Sequence, residues 1–75
     1  MDDLYFSAPI DEDRTLCLAP ITERRRAMSS QQIDDPSGYF LFELTGSGES
    51  ARVEIIARII SEDAVHRLRD MLNLE

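Results

Sequence analysis

The sequence predicts a small α+β fold: an antiparallel sheet of about three strands, roughly residues 14–20, 39–45 and 51–60, with a C-terminal amphipathic helix over about 62–73 packed on one face. Three observations carry this. Residues 39–45 and 51–60 alternate with the period of a strand, a Gly-Ser-Gly run separates them, and the end of the chain switches to the period of a helix.

The first thirteen residues contain Leu4, Phe6, Ala8 and Ile10 in alternation, and Pro9 confines any strand there to a sheet edge. This segment reads as a short extended piece laid along the sheet or across a partner, or as a flexible arm, closed by the turn-like cluster Asp11-Glu12-Asp13. From Arg14 to Pro20 a strand follows and ends near Ala19, because Pro20 cannot donate to a ladder. Thr22 could cap a short helix running through Glu23, the arginines, Ala27 and Met28. A further strand is the rival reading, and neither period wins. Asp34-Asp35-Pro36-Ser37-Gly38 is a turn: proline sets φ, glycine frees it, and the aspartates bond back to the local backbone.

In Tyr39 to Thr45, Phe40, Phe42 and Leu44 face one way and Tyr39, Leu41, Glu43 and Thr45 the other. In the next strand Ala51, Val53, Ile55, Ala57 and Ile59 share a face, with Arg52, Glu54, Ile56, Arg58 and Ile60 opposite. A hairpin closed around Gly46-Ser47-Gly48-Glu49 sets Phe42 against Val53, Phe40 against Ile55 and Glu43 against Arg52. A one-residue slip would put Phe42 against Arg52. Ser61 then caps the helix, Glu62 and Asp63 occupy its first turn, and Ala64, Val65, Leu68, Met71 and Leu72 form its apolar stripe. That stripe is expected to lie across Phe40, Phe42, Val53 and Ile55. The other face, with Tyr39, Leu41, Ile56 and Ile60, is left as the candidate self-association face.

Residues 1–75 make one small domain, and a chain this short buries only about 60% of the surface its unfolded form exposes. Cys17 is the only cysteine and His66 the only histidine, so no internal disulfide or structural zinc is available and no cofactor or metal is expected. Oligomerisation remains as the means of completing the core, and a homodimer is expected. With 43% hydrophobic and 31% charged residues the composition is that of a folded domain, and no apolar run nears the ~20 residues of a membrane span. A soluble, cytoplasmic protein with no membrane partner is expected. All eight basic residues are arginine, which suggests a GC-rich bacterial genome. The final Leu74-Glu75 is not required by the helix pattern and reads as an expression-tag scar.

Few side chains suggest chemistry. The helical wheel places His66 in the middle of the solvated face between Glu62 and Asp70, where a surface role outweighs a catalytic one. Cys17 shares a strand face with Thr15 and Ala19 and suits packing better than nucleophilic attack, with an intermolecular disulfide as the alternative. Gly46-Ser47-Gly48 is followed by a strand rather than a helix, so it is a hairpin turn and not a phosphate cradle. The paired carboxylates lack the spacing of a calcium loop.

Arg24-Arg25-Arg26 is the candidate partner-binding cluster, although pairing with Asp11 to Asp13 or with Asp34 and Asp35 is the preferred reading of it. A net charge of −7 weighs against nucleic acid. The function expected is therefore a non-enzymatic protein-interaction module with an unidentified protein partner. A nucleic-acid-associated or antitoxin-like regulator using the arginines is the alternative.

Overall fold

Among the residues described by the computed structural model (4–29, 31, 33, 35, 37–46 and 51–75), six elements follow one another. They are β1 (Phe6–Pro9), β2 (Arg14–Ala19), α1 (Glu23–Met28), β3 (Tyr39–Thr45), β4 (Arg52–Ile59) and α2 (Glu62–Leu72). The strands form one antiparallel sheet in the order β1-β2-β3-β4. The α+β class is as predicted, with four strands rather than three. Ser47 to Glu49 of the expected hairpin turn, and Asp34 and Pro36 of the earlier one, lie outside the described residues.

The additional strand is β1, an edge strand that ends in Pro9, where a missing N–H costs least. Its turn into β2 is held by Asp11, whose carboxylate accepts the backbone N–H groups of Asp13 and Arg14 at 2.9 Å each. α1 forms where neither period was decisive: the Thr22 hydroxyl accepts the Arg25 N–H at 3.1 Å, and the helix stops after six residues. Gly38 has φ of 82°, and a Cβ there would meet the Ile59 carbonyl oxygen at 3.3 Å.

The hairpin register differs from expectation in two ways. Leu44 faces Val53, Phe42 faces Ile55 and Glu43 faces Glu54, a shift of two residues that keeps every side chain on its face. Glu43 thus takes its ion pair from Arg14 of β2, at 3.5 Å, and not from Arg52. Beyond Phe42 the pairing slips again: Leu41 faces Ala57 and Tyr39 faces Ile59, leaving Ile56 as the additional residue of a β-bulge. The bulge reverses the faces of β4. Val53 and Ile55 stay with Phe42 and Leu44, while Ala57 and Ile59 join Leu41 and Tyr39.

The bulge also decides which face α2 covers. Only Ile60 and Ser61 separate β4 from the helix, so α2 docks on the side to which Ile59 now points. Val65, Ala64 and Leu68 pack with Leu18, Leu41, Tyr39 and Ile59, and not across Phe40, Phe42, Val53 and Ile55. That other face carries Cys17, Phe40, Phe42 and Val53, and it is covered by Ile21, Met28 and Ile33 of the β2–β3 connection. Both faces are thus covered by the chain itself.

α2 departs from its expected stripe at the C-terminal end. Met71 is 73% exposed, whereas Leu74 is 4% exposed and belongs to the core. Asn73, in the left-handed conformation, turns the chain at the end of the helix, and the Leu74 N–H returns to the Arg69 carbonyl at 2.9 Å. This is the Schellman pattern, in which the residue after the turn packs against the last helical turns. Leu74 and Glu75 are therefore built into the packing rather than trailing from it. Glu75 exchanges two backbone hydrogen bonds with Ser7, at 2.9 and 3.0 Å, along the outer edge of β1.

The β4 edge is covered as well. The Gln31 side-chain amide bonds both the N–H and the carbonyl of Ile55, at 2.6 and 3.1 Å, and Ser29 bridges to Val53. Both edges of the sheet are thus partly satisfied from within, which guards against edge-to-edge pairing.

Candidate functional site

The α1 face carries the surface feature with the most chemistry. Ala19 ends β2, Pro20 breaks the ladder, and the chain folds back over the sheet so that Ile21 inserts and α1 follows. Between α1, the N-terminal segment and the β3–β4 end lies a groove of about 750 Å³. Ile21, Met28, Leu44 and Ala51 supply its apolar lining, Tyr5 stands at one side, and Arg24 and Arg25 contribute its charge.

The three consecutive arginines do three different things. Arg24 is exposed. Arg25 is half-buried, its guanidinium carbon 5.7 Å from the Tyr5 ring centre and 5.6 Å from that of Phe42, within cation–π range of both. Arg26 turns away from the groove to donate to the Ile33 carbonyl at 2.6 Å and to pair with Glu23 at 3.7 Å. A six-residue helix spaces successive side chains by about 100°, so a run of three cannot form one patch. The site contains Arg24 and Arg25 but not Arg26.

Of the carboxylates expected to neutralise this run, Asp11 and Asp35 are engaged elsewhere, and Asp34 lies outside the described residues. Asp11 accepts from the Asp13 backbone and from the Arg14 side chain, which together hold its carboxyl below the usual aspartate range and raise Arg14. Asp35 is likewise lowered, first by the Ser37 hydroxyl and backbone N–H and then by the charge of Arg58 at 3.2 Å. Arg67 pairs with Asp63 and Arg69 with Asp70. Among the described residues only Arg24, Arg25 and Arg52 have no carboxylate partner, and two of these three line the groove.

The four residues expected to form one self-association face are not on a common open surface. Tyr39 and Leu41 are half-buried in the cluster beneath α2, and the Tyr39 hydroxyl accepts the Leu4 N–H at 3.3 Å. Ile56, at the bulge, and Ile60, just past β4, remain 52% and 86% exposed. Cys17 is fully buried, its sulfur 3.8 Å from the Tyr5 hydroxyl, so it packs and is closed to a disulfide in the folded chain. His66 is exposed, with its ring 6.3 Å from Phe6.

Tyr5, Ile21, Met28 and Leu44 are site residues that sequence reasoning missed. Their signal was faint but physical. If Leu4, Phe6 and Ala8 face one side of an edge strand, Tyr5 must face the other, and an isoleucine directly after a strand-ending proline requires cover. Comparison with family models, with curated proteins and with solved structures gave no match.

Proposed function

We propose that this chain is a non-enzymatic protein-interaction module that holds a partner protein in the groove beside α1. The observation that carries the reading is the pairing of an apolar groove with two arginines that lack a carboxylate partner among the described residues. An exposed apolar surface rimmed by charge is the usual form of a protein-binding site. Among the described residues the closed α2 face and the partly satisfied sheet edges offer no comparable surface. A single buried cysteine and an all-arginine basic set support a reducing bacterial cytoplasm as the setting. No described helix is long and apolar enough to cross a membrane.

The test is site-specific photocrosslinking in the native cell. A photoreactive residue at Arg24 should give a discrete adduct with one protein, and one at Arg67, on the outer side of α2, should not. Equal labelling from both positions, or none from Arg24, would refute the reading.

A second reading, self-association, is favoured by the exposure of Ile56 and Ile60. Sedimentation equilibrium with reductant checks it: a dimer weakened by Ile60→Glu supports self-association, and a monomer at tens of micromolar removes it.

A further inference from the structure

Resting on the α1 groove as the binding surface, we infer the chemistry of its occupant: a short peptide segment of a partner protein that carries a carboxylate beside large apolar side chains. Among the described residues five of the eight arginines have a carboxylate within ion-pair distance, so an arginine without one is the exception there. Arg25 is an unusual exception. It is held over Tyr5 and Phe42, and much of the side-chain entropy a ligand would otherwise have to remove is already lost in the free protein. A guanidinium held in this way presents a planar fork of donors that matches a carboxylate.

The rest of the groove selects what surrounds that carboxylate. Ile21, Met28 and Leu44 offer apolar contacts, and the flexible thioether of Met28 adapts to differently shaped side chains. A volume of about 750 Å³ gives this open groove room for a few side chains. Strand addition is a poor route for the peptide, because Glu75 already pairs with β1 and Gln31 with β4. Recognition must come from side chains. A net charge of −7 repels a polyanion such as nucleic acid over most of the surface but tolerates one or two local carboxylates.

The test is selection of a random phage-displayed peptide library on the full chain. Binding of the synthetic consensus peptide is then measured by fluorescence anisotropy. The expected consensus contains Asp or Glu flanked by Leu, Phe or Met. Changing its acid to the amide should weaken binding about tenfold, the usual scale for one charged hydrogen bond. Arg24→Glu should weaken it by a similar factor. Because Arg24 is exposed and makes no ion pair with another described residue, that variant should fold normally, with circular dichroism as the check. Arg67→Gln should leave binding unchanged. An acid-free or basic consensus, indifference to Arg24→Glu, failure to enrich any peptide, or displacement by oligothymidylate or inorganic phosphate would overturn the inference. If the Arg24 crosslinker captures a partner while selection yields acid-free peptides, only the chemistry of the occupant is wrong. If no groove adduct forms, the binding surface itself falls.

Discussion

One sheet carries two helices, and they cover it unequally. α2 has eleven residues, begins on the Ser61 cap, ends in the Asn73 turn, and brings Val65 and then Leu74 to full burial. α1 has six residues, none fully buried, and relies on Ile21, Met28 and Ile33 to cover Phe40 and Phe42. Complete cover places side chains where they only stabilise. Incomplete cover leaves a groove lined by two arginines that have no carboxylate partner among the described residues, and the proposed binding surface is this less fully covered side.

The largest effect that could break this contrast lies in the shared sheet. Phe42→Ala should cost about 3–5 kcal/mol in urea denaturation, enough to leave so small a domain near unfolding. On the α2 side, Leu74→Ala should cost about 2 kcal/mol, whereas Met71→Ala should stay within about 0.5 kcal/mol. The opposite order would mean that the helix runs on past Leu72 and buries its expected stripe.

That reversal shows what the sequence could and could not reveal. Alternation fixes parity, so Phe42 and Val53 were correctly given a common face. A two-residue shift preserves parity, and nothing in Gly46 to Glu49 distinguishes a tight turn from the longer connection left by pairing Thr45 with Arg52. The bulge at Ile56 has no compositional signature, since an isoleucine sits there without a glycine or proline to mark it. Missing it assigned Ala57 and Ile59 to the wrong face and sent α2 there too. The groove was harder still, because it depends on where the β2–β3 connection folds back and on which acids the other arginines capture. The α+β class, the three expected strands and the C-terminal helix carried through, as did the local signals: Thr22 and Ser61 as caps, Pro9 at an edge, and Cys17 in the core.

Smaller effects sharpen the comparison. Ser61→Ala and Thr22→Ala each remove an N-cap bond of 3.1 Å and should cost about 1 kcal/mol at most where the helix is closely coupled to global stability. The Thr22 change should cost less in global unfolding and more in local opening of α1. The weakest effect is that of pH. Asp11 and Asp35 have folded-state pKa values below their unfolded ones, so their contribution is fully present above about pH 4 and is lost as the pH falls through the folded values. Asp11→Asn should flatten that acid limb slightly in urea midpoints measured against pH, and a steeper limb would contradict the assignment.

Thiol labelling against urea tests the inequality of the two faces most directly. The wild-type chain reports α1 through Cys17, and a Cys17→Ala, Val65→Cys variant reports α2. Unequal cover predicts that Cys17 reacts through a local opening with little urea dependence, while the thiol at position 65 reacts only with the slope and free energy of global unfolding. Labelling of both thiols along one common global line would contradict it.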